Sequence, residues 1–241
     1  MGSNTDIFLT GATGLIGRNL HQRLFNEGYD VETNLRYLHT KKWLTVIHLA
    51  AVTHTNPHFD PDLIEANYIL TKEIFKTPFP LIYASSCSAQ YDSNPYAQSK
   101  MYAEHLGAIH GNALGLRFFN VYGFGNQKGI VNYLMTAPNN CTLVLRGPEL
   151  IRDYLHVSEA VDQIMFHLKH NYFKGILDIG TGIGTSTLNL VNLYMEVSGK
   201  NFKIDTIPAG AHEPEVMVAR GGSCKILLRE GLLKLINETN K

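Results

Sequence analysis

Cysteine is scarce. Three stand in 241 residues, at 87, 141 and 224, with no C-x-x-C pair among them, so neither a disulfide framework nor a cysteine zinc site is expected and a reducing compartment fits. No apolar run approaches the roughly 18 residues that a membrane helix needs, and the opening residues are expected to belong to the fold and not to a signal peptide. Net charge is absent too: 21 basic residues balance 21 acidic ones, which argues against nucleic acid or an anionic membrane as the main partner. No internal repeat or low-complexity segment is present. His48, His54, His58 and His110 are dispersed, without the companion cysteines or carboxylates of a metal site, and no metal is expected. On these absences a soluble, cytoplasmic globular protein is expected.

The 44% hydrophobic content suffices for a buried core in one large α/β unit with a small appended lobe. Near the start, the apolar run Ile7-Phe8-Leu9 leads into Thr10-Gly11-Ala12-Thr13-Gly14-Leu15-Ile16-Gly17, and a helix-period segment follows from Leu15 to Phe25. Strand, glycine turn and helix start in that order form a dinucleotide-phosphate site: Gly11 permits the tight turn, Gly14 lets backbone approach the pyrophosphate, and Gly17 permits close helix packing. Thr13, Leu15 and Ile16 complete that candidate cofactor turn. Apolar strands then alternate with helical patterns to about Gly123, as a doubly wound parallel sheet of Rossmann type requires. Beyond it the pattern is irregular, with helices expected over 130–136, 158–170, 187–197 and 225–236. Residues 1–123 read mainly as the NAD(P)-binding part and 124–241 mainly as a substrate lobe, intertwined with no linker between them. The run Gly180 to Gly184 imitates a second phosphate loop but reads as a tight turn.

The most telling pair is Tyr96 and Lys100, about ten residues beyond Ser85-Ser86. Positions i and i+4 share one face of a helix, so an ammonium there can stabilise a tyrosinate, lower its pKa and let it exchange protons near neutral pH.

Together these motifs resemble the extended short-chain dehydrogenase/reductase family, the sugar-nucleotide epimerases and dehydratases. The resemblance runs over nearly the whole chain. Val46-Ile47-His48-Leu49-Ala50-Ala51 is similar to the strand whose end passes under the cofactor. Asn67 and Thr71 lie on a helix expected over 61–75, and Leu81 to Ser86 is similar to the strand carrying the catalytic serine. Leu116 to Gly123, Arg152 to Val157 and Leu177 to Gly182 resemble later signatures of the family.

The resemblance implies an enzyme with a proton relay in which Tyr96 takes the sugar hydroxyl proton, Lys100 holds the tyrosinate and the nicotinamide ribose, and Ser86 hydrogen-bonds the carbonyl formed by hydride transfer. Leu49, Ala50, Ala51 and Asn67 join the glycine turn as expected cofactor contacts. Asn120, Arg152 and Ser86 are the expected contacts to a nucleotide-sugar substrate. Cys87 reads as a small packing residue. Within the family, Arg117 to Gly123 followed by Gln127-Lys128-Gly129 is similar to the ADP-L-glycero-D-manno-heptose 6-epimerases, which implies Lys128 as a second acid/base opposite Tyr96. Relatives pair as dimers through the helices corresponding to those around Glu65 and Glu104, so the candidate assembly is a homodimer.

Departures from the family pattern are equally specific. Between a second strand expected near Val31 to Leu35 and the strand at Val46, about ten residues remain, too few for the usual helix and strand. The Ser86 to Tyr96 loop is also shortened, so the mouth of the site should be more open. Pro208 to Pro214 lacks the second phosphate-binding Arg that many relatives carry. At the second strand's tip, Glu32-Thr33-Asn34-Leu35-Arg36 is read as offering no carboxylate for a ribose hydroxyl, while Arg36 could pair with a 2′-phosphate; cofactor choice therefore leans to NADP over NAD. The alternative to the enzyme is a trimmed, non-catalytic NAD(P)-binding sensor or scaffold.

Overall fold

The computed structural model describes residues 6–54, 58–91, 94–211, 213–222 and 224–239. In chain order the elements are β1 (Asp6–Thr10), α1 (Leu15–Asn26), β2 (Asp30–Glu32), β3 (Thr45–His48), α2 (Pro61–Ile64), α3 (Thr71–Ile74), β4 (Leu81–Ser86), α4 (Pro95–His110), β5 (Ala113–Phe118), β6 (Asn120–Tyr122), α5 (Gly129–Thr136), β7 (Thr142–Arg146), β8 (Ile151–His156), α6 (Val157–Lys169), β9 (Gly175–Ile179), β10 (Gly184–Ser186), α7 (Thr187–Ser198), β11 (Lys203–Ile207), β12 (Val216–Met217) and α8 (Leu228–Thr239). Two compact units result, Met1–Phe118 with Ala160–Asp178, and Phe119–Glu159 with Ile179–Lys241. Among the described residues no helix is long and apolar enough to cross a membrane.

The first unit is an α/β fold around a six-stranded sheet of order β2-β1-β3-β4-β5-β9. The pairs β1-β2, β1-β3, β3-β4 and β4-β5 are parallel. Ile7, Phe8, Leu9, Val46, Ile47, Leu81 and Ile82 are all fully buried, as strands covered on both faces must be, which is why they read as unbroken apolar runs rather than alternating ones. The shortened segment after β2 holds a single 3-10 turn, Leu35–Tyr37. Trp43 closes it: its ring meets Phe8 at 5.2 Å, and its indole N–H donates to the Leu38 carbonyl at 2.8 Å. Tyr83 is clamped between Gly107 of α4 and Gly115 of β5, where an added Cβ would lie 2.4 and 2.6 Å from the phenol oxygen.

Three expected boundaries move. The second strand stops at Glu32, not Leu35, because the Glu32 carboxylate turns the chain by accepting from the amides of Thr33 and Asn34 at 2.8 and 2.7 Å. The helix expected over 61–75 is α2 and α3 joined by a π-helical stretch, Glu65–Leu70, around the buried Asn67. The last helix begins at Leu228 instead of Lys225, since the Glu159 carboxylate takes the amides of Lys225 and Ile226 and holds them outside it.

In the second unit, β8 is the central strand, antiparallel to β10 and parallel to β12 and β6, while β7 and β11 form a separate parallel pair. Its core gathers Tyr122, Leu134, Leu145, Tyr154, Leu190 and Leu232, and each of the leucines stabilises the fold by roughly 1.5–3 kcal/mol on burial. Fully buried Asp153 organises the chain between β9 and β10: it accepts from the amides of Thr181 and Gly182, from the Thr181 hydroxyl, and from the amide of Ala219. That run is a turn pinned by a carboxylate, and Gly182 supplies its φ of +75°.

Candidate active site

The glycine turn between β1 and α1 is built by steric necessity. Gly11 has φ +73°, and a Cβ there would lie 2.6 Å from the Ala50 nitrogen; one on Gly17 would lie 2.0 Å from the Gly11 carbonyl oxygen. Gly14 caps α1 with an extended backbone and no side-chain hydrogen bond, so the helix's leading amides keep their donor capacity. Thr13 and Gly14 are exposed, Leu15 and Ile16 half-buried. Leu49, Ala50 and Ala51 leave β3 beside this turn, tied back by Leu49 N to the Thr10 carbonyl at 3.3 Å and Ala50 N to the Thr10 hydroxyl at 3.2 Å.

Beneath the turn, His48 bridges Thr10 at 2.7 Å and Thr71 at 3.0 Å. Burial, reinforced by the Lys100 charge, pushes its pKa down to about 3, so it is a neutral strut between β1, β3 and α3. Asn67 is committed in the same way: its amide accepts from Val52 N at 2.8 Å and donates to the Val52 carbonyl at 2.9 Å and the Ser99 hydroxyl at 3.0 Å. Ser99 in turn donates to the Tyr96 carbonyl at 2.7 Å. Expected as a cofactor contact, Asn67 is in this structure a clasp between the chain after β3 and the first turn of α4.

Asn94 caps α4 by accepting from Ala97 N at 2.9 Å, and Pro95 occupies the first helical position, where its missing N–H costs nothing. The Tyr96 phenol hydrogen-bonds Ser86, the last residue of β4. Ser85 is turned away, donating to Glu104 at 2.5 Å. The Lys100 ammonium lies 5.7 Å from the Tyr96 ring centroid and donates to the Ala84 carbonyl at 2.9 Å. Burial pushes Tyr96 up to about 12, against the lowering by Ser86 and with a smaller raising by Cys87. It pushes Lys100 down to about 8, opposed by Glu104. The expectation of a phenol poised near neutral pH is therefore not met in this arrangement: the ammonium faces the ring and a main-chain carbonyl, and desolvation dominates.

At the end of β2 a carboxylate is present after all, that of Glu32, which corrects the reading of an acid-free tip. Arg36 is exposed in the following turn, its Nε donating to Asn34 Oδ1 at 3.3 Å and its guanidinium 5.9 Å from the Tyr37 ring.

In the second unit, Asn120 is exposed at the start of β6 and donates to the Asp153 carbonyl at 3.1 Å. Lys128 is an exposed residue at the N-cap of α5. Arg152 is buried on β8, with Nη1 donating to the carbonyls of Ile151 and Glu215 at 2.9 and 3.3 Å and Nη2 to Glu213 at 3.3 Å. Glu213 belongs to the segment expected to be poor in phosphate contacts; its neighbour His212 lies outside the described residues. Sequence reasoning missed Glu104, Asp153 and Glu213. Only the i, i+4 spacing from Lys100 to Glu104 offered a local signal. Among the described residues no group of three or more His, Cys, Asp or Glu is placed to hold a metal.

Residues 32–180 match the profile of the NAD dependent epimerase/dehydratase family. The chain is 25% identical to the ADP-L-glycero-D-manno-heptose-6-epimerase of Brachyspira hyodysenteriae over 75% of this chain and 69% of that protein. It is 28% identical to the UDP-glucose 4-epimerase of Azospirillum brasilense over 52% of this chain, and the match spans 44% of that relative's length, less than half. Among solved structures, MoeE5 in complex with UDP-glucuronic acid and NAD superposes with a TM-score of 0.84 at 25% identity, covering 98% of this chain and 99% of that one.

Proposed function

Because the chain belongs to the NAD dependent epimerase/dehydratase family, we propose that it acts on a nucleotide sugar, interconverting epimers or eliminating water through transient oxidation of the sugar. The observation that carries this reading is the hydrogen-bonded Ser86–Tyr96 pair with the Lys100 ammonium over the phenol ring. A buried Lys and Tyr cost desolvation that a mere cofactor-binding scaffold has no use for.

The glycine turn suits the diphosphate of a dinucleotide, because Gly14 is exposed at the start of α1 and the leading amides of that helix have no side-chain cap. NAD(P), when bound, supplies the acceptor for the hydride of the sugar carbon. Tyr96 moves the hydroxyl proton. As held here, with its pKa near 12, the phenol is the donor form, ready to protonate a keto-sugar oxygen during reduction. Swinging the Lys100 ammonium from the Ala84 carbonyl to the phenol oxygen gives the base form required for oxidation. Ser86 donates to the carbonyl oxygen in both directions. Arg152 and Asn120 take the diphosphate of the nucleotide.

We favour NAD over NADP, reversing the lean from the sequence, because β2 ends on the carboxylate of Glu32, the group type that accepts from a ribose hydroxyl, and MoeE5 was solved in complex with NAD. Calorimetry with both nucleotides on Arg36→Ala and Glu32→Ala decides this: a selective loss of NADP binding in Arg36→Ala would restore the NADP assignment. Of the two reactions, we favour epimerisation on the likeness to the heptose 6-epimerase, which would make Lys128, exposed at the start of α5, a second proton carrier. Incubation with UDP-glucose, UDP-glucuronic acid and an ADP-heptose, followed by NMR of the sugars, should reveal a new epimer with one of them. In Lys128→Ala, cofactor reduction should persist while epimer formation falls. No turnover of any nucleotide sugar by wild type, with cofactor bound, would sink the reading.

A further inference from the structure

Arg152 is a firmly held cation with a more exposed counter-ion. Its side chain is 11% exposed, and two main-chain carbonyls, of Ile151 and Glu215, hold its fork in one orientation. The backbone around it is equally settled, because Met217 of β12 lies opposite Arg152 and Ile151 N donates to the same Glu215 carbonyl at 2.8 Å. The acid that neutralises it is another matter. Glu213 is 37% exposed and meets Nη2 at 3.3 Å, longer than the roughly 2.7–2.9 Å of a tight charge-assisted bond. It stands on a short turn closed by Glu213 N to the Gly210 carbonyl at 3.0 Å, just before the chain enters β12.

We propose that Glu213 is a built-in competitor for the anionic group that Arg152 binds, a placeholder that a diphosphate displaces. This rests on the reading of Arg152 as the diphosphate residue. The physical case is one of exchange. A buried guanidinium left without a counter-ion is costly, so the free protein keeps it paired, but a half-exposed carboxylate in a long single contact contributes little. A diphosphate carries more charge and more acceptor oxygens for the same planar fork, and it replaces Glu213 without ever leaving Arg152 unpaired. The displaced carboxylate needs only to swing into the solvent it already touches. Where many relatives carry a second phosphate-binding Arg, this chain therefore places an acid that lowers affinity and speeds product release.

The test is titration calorimetry of UDP and of inorganic pyrophosphate against wild type, Glu213→Gln, Arg152→Ala and the double variant, with folding checked by circular dichroism. Glu213→Gln should bind both ligands tighter, on the order of threefold to tenfold. Arg152→Ala should lose most of the affinity, and adding Glu213→Gln to it should restore none. If Arg152→Ala does not fold, Arg152→Lys, which keeps the charge but not the fork, enters the same cycle. Unchanged or weaker binding in Glu213→Gln, with Arg152→Ala impaired, overturns the competitor role and leaves the substrate reading standing. Tightening for UDP without tightening for pyrophosphate also overturns it, because the carboxylate would then oppose the nucleoside. Wild-type affinity in Arg152→Ala removes the diphosphate role of Arg152 itself.

Discussion

Glu104 takes both sides of the Arg117 fork, Nε to Oε1 and Nη2 to Oε2, each at 2.7 Å, and its Oε1 also accepts the Ser85 hydroxyl. One carboxylate thus ties α4, which carries Tyr96 and Lys100, to the end of β4, which carries Ser86, and to β5. Asp178 stands 3.8 Å from Arg117 on the far side. Arg117→Ala would leave the buried Glu104 without its cation and should cost about 3 kcal/mol in urea unfolding. A loss below about 0.5 kcal/mol, the usual scale of a surface change, would contradict the bracing role.

Tyr96→Phe should keep the fold and bind nicotinamide cofactor normally while losing on the order of 10²-fold or more in turnover, the usual worth of a positioned proton carrier. Lys100 adds a pH signature. With its pKa near 8, it sheds its charge above that pH, so the rate should fall on the alkaline side and the limb should vanish in Lys100→Met. A flat wild-type profile from pH 7 to 9.5 would count against the ammonium as the partner of Tyr96.

Gly17→Ala places a methyl 2.0 Å from the Gly11 carbonyl, which must move the turn that approaches Ala50. Cofactor affinity, read by quenching of protein fluorescence, should fall at least tenfold, about 1.4 kcal/mol. Gly28→Ala is the matched control: its φ of +82° makes alanine strained, but nothing lies within 4 Å, so stability should drop with little change in cofactor binding.

Buried histidines should make the protein acid-sensitive. Burial pushes His48 to about 3, and burial with Lys234 nearby pushes His156 to about 4, both below the ordinary 6.5. Between those values the unfolded chain binds protons that the folded one refuses, so stability is present above pH 6.5 and is lost as pH falls toward 4 and then 3. Each histidine contributes a slope of about 1.4 kcal/mol per pH unit in that window. Denaturant titrations from pH 7 to pH 5 should show it, and His48→Gln should remove close to half of the two-histidine slope; an unchanged slope would mean His48 is not buried neutral.

The glycine turn, the alternation of strands and helices and the Tyr96–Lys100 spacing were legible along the chain because each is a local pattern: backbone sterics, strand and helix periods, and one turn of helix are set by neighbours in sequence. The six-stranded sheet agrees with the alternation of strands and helices, and the family match over residues 32–180 with the family resemblance. Contacts distant in sequence decided the rest. That Ser86 meets Tyr96 while Ser85 meets Glu104 follows from how α4 lies on β4, and adjacent strand residues say only that the two serines point apart. Glu213 reaches Arg152, and Glu159 reaches the entrance of α8, across more than sixty residues. The proton affinities depended most on tertiary structure. A lysine one turn from a tyrosine suggests a lowered phenol pKa, but the sign is set by desolvation and by where the ammonium points, and both exist only once the chain has closed around them.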